Sequence, residues 1–95
     1  MDFDQREVER GLIHCAIEKA LRNIGDRTVK EVGNSLFKKH RCYFADCLEH
    51  PEYLKDVLGE IFGKASIVII DSIQTDLKEF TEKKDISTFL VQISK

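Results

Sequence analysis

Proline occurs once in this chain of 95 residues, glycine five times and tryptophan not at all. So few turn-formers exclude a loop-rich all-β fold, which needs glycine and proline at its many reversals. The longest aliphatic run is Ile67-Val-Ile-Ile70, far short of the ~20 residues that span a bilayer. The opening Met-Asp-Phe-Asp-Gln-Arg-Glu is polar and acidic, unlike a signal or transit peptide. Three cysteines leave any intrachain disulfide framework incomplete. With no export signal they read as reduced thiols, so a cytoplasmic location is expected.

Motifs of catalysis are equally scarce. The chain has no glycine-rich phosphate loop and no serine elbow, and its acidic residues Asp71, Asp76, Glu79, Glu82 and Asp85 lack calcium-loop spacing. The expectation is therefore a protein that is not an enzyme and needs no cofactor. A formal net charge of −2 sets up no field strong enough to imply nucleic acid or an anionic membrane.

What is present is a globular balance, 42% hydrophobic and 34% charged residues, too apolar for a disordered chain. Glu, Lys, Leu and Ile dominate, which favours helices. No linker or repeat divides the chain, so residues 1–95 read as one helical domain: an all-α, compact bundle of four to five helices. The rival is an α+β fold in which residues 66–71 and 87–93 are strands, because Ile67-Val-Ile-Ile70 is wholly β-branched and Thr88-Phe-Leu-Val-Gln-Ile93 suits an edge.

The spacing predicts a first helix from about Asp4 to Ile24, with Asp4-Gln-Arg-Glu7 as a capping box and Gly25 in the left-handed position after it. Its apolar residues Val8, Leu12, Ile13, Ala16, Ile17, Ala20, Leu21 and Ile24 cover more than half the circumference. A surface helix needs only ~100°. The helix is therefore either central or shared with a second subunit. On the second alternative Ile13, Ile17, Leu21 and Ile24 are the partner-binding residues of a homodimer. A second helix spans about Arg27 to His40, with Val29, Val32, Leu36 and Phe37 on one side and Thr28-Val-Lys-Glu31 as its capping box. A connection follows, with a turn of helix near Phe44 to Leu48. Pro51 opens a third helix that Gly63 ends. Residues from Ala65 to about Glu82 continue a 3.6 period as a fourth, and Ile86, Phe89, Leu90 and Ile93 mark a last segment from Asp85.

Three clusters bear chemistry. His40, Cys42, Cys47 and His50 place two thiols and two imidazoles within eleven residues, a ligand set that zinc favours. Cys-x4-Cys is not the usual zinc knuckle, however, and the competing reading makes both thiols small buried hydrophobes. Lys38, Lys39 and Arg41, beside Tyr43 and Phe44, form a basic run of the kind that grips nucleic acid, or else a solvated helix end. Arg10, His14, Glu18 and Arg22 lie four apart and suit a ladder of surface ion pairs. The functional expectation is a non-enzymatic protein–protein interaction or regulatory module that self-associates as a homodimer through apolar helix faces and presents a helical surface to another protein, with a zinc-binding protein and a nucleic-acid binder as alternatives.

Overall fold

The computed structural model describes residues 5–94. Within them lie five α-helices: α1 (Gln5–Arg22), α2 (Asp26–His40), α3 (Pro51–Phe62), α4 (Ser66–Leu77) and α5 (Lys84–Ser94). Short 3-10 turns at Phe44–Leu48, Gly63–Ala65 and Lys78–Phe80 join or extend them. No strand occurs among the described residues, so the all-α reading holds and the α+β rival does not. Ile67 to Ile70 is helical because its β-branched run sits at the start of a longer 3.6 period, and Ile69, Ile73 and Leu77 are the residues that the period buries. The same logic makes the last segment a helix, since Ile86, Phe89 and Ile93 fall on one buried side.

The helix ends differ from the sequence expectations in three places. Asp4, half of the expected first capping box, lies outside the described residues. Gly25 is extended (φ 164°, ψ 154°) rather than left-handed; it is the N-cap of α2 and makes no side-chain cap. Thr28 therefore caps nothing, because the helix already begins at Asp26. The fourth helix is shorter than its periodicity predicts, tightening to a 3-10 turn at Lys78–Phe80.

The core explains the broad apolar surface of α1. Ile13, Ala16, Ile17, Ala20 and Leu21 are all buried, and α1 packs against α2, α4, α5 and the Phe44–Leu48 turn. It is the central helix of its own chain. α3 closes the far side against α2 and α5, contributing Leu54, Val57 and Leu58. Ion pairs link the helices around this core: Lys19 with Asp76 (3.0 Å) joins α1 to α4, and Lys39 with Asp56 (2.8 Å) joins α2 to α3. Arg10 of α1 reaches both Asp46 and Glu49, fastening the Phe44–Leu48 turn to the central helix. No described helix is long and apolar enough to cross a membrane.

Candidate functional site

The proposed interface on α1 is corrected by its burial. Ile13, Ile17 and Leu21 are inaccessible within the chain's own core, and of the four expected partner-binding residues only Ile24 is exposed. Within the chain Ile13, Ala16, Ile17, Ala20 and Leu21 pack against the other elements, while Val8 and Ile24 stay exposed.

The four expected zinc ligands do not converge. The Cys42 and Cys47 sulfurs are 3.9 Å apart, both buried and both near the Tyr43 carbonyl. Burial pushes both thiols up from their ordinary range, Cys47 furthest. His40 turns instead to Asp56 (3.0 Å) and stacks on Tyr53 at 4.2 Å between ring centroids. His50 stacks on the same Tyr53 at 4.7 Å and faces Glu52. Among the described residues no group of three or more His, Cys, Asp or Glu side chains is arranged to hold a metal ion. His40, Cys42 and His50 line one recess beside Tyr53, but the thiols pair in the interior while the two imidazoles stack on the Tyr53 ring.

The basic run is divided too. Lys39 is taken up by Asp56 and Glu60 of α3. Lys38 is exposed, and Arg41 lies with its guanidinium 5.1 Å from the centre of the Phe37 ring. On α1 the expected ladder forms only in part: His14 and Arg22 both meet Glu18, but Arg10 leaves it for Asp46 and Glu49.

The feature that sequence reasoning missed is a groove at the junction of α1, α2 and the Phe44–Leu48 turn. His14, Gly33, Asn34, Phe37, Tyr43 and Phe44 line about 400 Å³ of open space. Its construction is local. α2 ends at Arg41 in the left-handed conformation (φ 54°, ψ 41°), the one non-glycine residue with positive φ among those described. This reversal folds the chain back over the end of α2, so that Tyr43 packs on Phe37 (5.3 Å between ring centroids) and Arg41 lies over the same ring. Phe44 turns inward to be buried and meets the His14 ring at 5.6 Å. Asp46 holds the turn by accepting from the Tyr43 backbone N–H (3.0 Å). Gly33 is the floor: a methyl group there would stand 3.6 Å from the Phe44 ring.

Two large aromatic side chains consequently remain in solvent, Tyr43 63% and Phe37 39% exposed. The signal for this was in the sequence: Phe37 and Tyr43 flank a short connection after the helix. What it did not reveal was the left-handed residue that brings them together. Compared with known proteins, the chain matches no family model, no curated protein and no solved structure.

Proposed function

We propose that this chain is a non-enzymatic interaction module that binds another protein through the groove between α1, α2 and the Phe44–Leu48 turn. The single observation that carries the reading is the pairing of exposed Phe37 and Tyr43, with a guanidinium over the first ring, around an open apolar recess. Tyr, Phe and Arg are the residue types enriched in interface cores, and a recess that accepts one buried side chain is how such anchors act. The lining supplies rings, one amide and one imidazole. That chemistry suits desolvating a docked side chain, not activating a nucleophile.

On this reading the partner is a different protein, because Ile13, Ile17 and Leu21, three of the four α1 residues expected to pair two copies of the chain, are buried within it. The test is quantitative capture from a lysate of the source organism on immobilised wild-type chain and on Phe37→Ala/Tyr43→Ala. Both side chains are exposed, so the variant keeps its fold and loses only the groove's rim. A set of proteins retained by wild type and absent from the variant supports the reading. Identical sets on both supports end it.

A further inference from the structure

The exposed side of α2 that borders the groove carries a run of cations. Arg27, Lys30, Asn34, Phe37 and Arg41 follow one another at i, i+3, i+7, i+10 and i+14, a spacing that keeps them on one face, and Lys38 adjoins them. All six are exposed. Among the described residues no carboxylate pairs with Arg27, Lys30, Lys38 or Arg41. The contrast with the next residues is sharp: Lys39 and His40, one step round the helix, are both held by α3 carboxylates. Two carboxylates border the stripe, Asp26 four residues before Lys30 and Glu31 four residues after Arg27, but neither closes an ion pair with it: Asp26 is 3.8 Å from Arg22 instead, and Glu18 is held by His14 and Arg22.

Resting on the groove reading above, we infer that the partner is an acidic protein segment carrying a large apolar anchor, which seats in the groove while its carboxylates lie along Arg27, Lys30, Lys38 and Arg41. Charge complementarity is the argument. Four cations without ion-pair partners among the described residues lie along the helix that forms one wall of the apolar recess, in a protein whose overall balance is −2. The stripe from Arg27 to Arg41 is ~21 Å long, which an acidic helix of about 15 residues matches. Nucleic acid fits less well. A phosphate backbone wants a continuous basic track, whereas this one is interrupted by Phe37, ends on Tyr43 and is bordered by Asp26 and Glu31.

The experiment is fluorescence anisotropy of labelled peptides of about 15 residues, sized to the stripe. One is an amphipathic helix with Leu on one face and Glu on the other; the second replaces Glu by Lys; the third replaces Leu by Ser. Duplex DNA serves as competitor, and native mass spectrometry reads self-association in the same buffer. The expected result is binding of the Leu/Glu peptide alone, weakened by salt. Phe37→Ala should lower its affinity about thirtyfold and Lys30→Glu/Arg41→Glu about tenfold or more. Circular dichroism confirms that these surface variants are folded.

Equal binding of the Leu/Lys peptide keeps the groove but overturns the acidic partner. Binding of the Leu/Glu peptide that ignores Phe37→Ala overturns the groove itself. Displacement by DNA regardless of Phe37→Ala makes the stripe a nucleic-acid surface, and a dimer abolished by Phe37→Ala makes the occupant a second copy; either overturns the inference. So does failure of every peptide to bind.

Discussion

Asp46 joins two roles that the sequence kept apart. Its carboxylate accepts from the Tyr43 backbone N–H and meets Arg10 of α1, so the same side chain shapes the groove's turn and ties it to the central helix. The Tyr43 hydrogen bond, with help from Arg10 against partial burial, holds the Asp46 carboxyl below its usual range. A depressed carboxylate contributes stability that is fully present above its unfolded value near ~3.9 and is lost as pH falls through the lower folded value. The midpoint of urea unfolding should therefore hold steady at neutral pH and drop below about pH 4. Asp46→Asn should lower the midpoint at pH 7 and flatten that acid fall; an unchanged acid limb in the variant would assign the pH dependence to other carboxylates. The thiols give a second check at this scale. Cys15 is exposed while Cys42 and Cys47 are buried with raised pKa values, so brief treatment of the native protein with iodoacetamide should add one adduct, at Cys15, with all three appearing only after denaturation. Early modification at Cys42 would mean that the turn opens readily.

At the scale of elements, most of the architecture was legible and the caps were not. Apolar periodicity located the first four helices and left the last segment open between helix and edge strand, and Pro51 and Gly63 marked the ends of α3. Periodicity reports which side of a helix is buried, because burial of that side is what stabilises it. It carries no information on the one or two residues that reverse the chain, whose conformation is set by neighbours distant in sequence. Hence Gly25 and Thr28 were misassigned, and the left-handed Arg41 that builds the groove was invisible. The site was legible only as composition: Tyr43 and Phe44 stood beside a basic run, with nothing to pair Phe37 with Tyr43 across the turn. Arg41 and Gly33 now allow stability and binding to be separated. Glycine at position 41 relieves the positive φ, so Arg41→Gly should stabilise by about 1 kcal/mol while removing a cation from the rim. Gly33→Ala should also stabilise, by about 0.5–1 kcal/mol, since the added methyl meets Phe44 at an ordinary contact distance. That same methyl raises the groove floor. Both variants should melt higher yet bind the Leu/Glu peptide more weakly, a combination that no purely structural role of this end of α2 would give. Gains in stability with unaltered peptide affinity would remove the groove from the binding surface.

The molecule measures 39 × 24 × 22 Å, with one face of α1 packed against the other helices. A helix so apolar in sequence poses a question that only three dimensions answer: whether its excess surface is spent inside one chain or between two. Burial of Ile13, Ile17 and Leu21 against α2, α4, α5 and the Phe44–Leu48 turn favours the first, and the consequence is quantitative. Ile17 is fully buried, so Ile17→Ala deletes core contacts and leaves a cavity, at a cost of about 2–5 kcal/mol. Ile24, from the same expected interface, is 55% exposed beyond the end of α1, and Ile24→Ala should change stability by no more than about 0.5 kcal/mol. Were the two residues halves of one dimer contact, both losses would depend on protein concentration, because association would be linked to folding. With α1 satisfied inside the monomer, neither should. Thermal melts of wild type, Ile17→Ala and Ile24→Ala across a hundredfold range of concentration decide the matter. Three superimposable sets of curves, displaced only for Ile17→Ala, place the helix in a self-sufficient core and leave the groove on α2 as the surface for partners. A melting temperature that climbs with concentration in wild type and not in Ile24→Ala would return the interface to the end of α1.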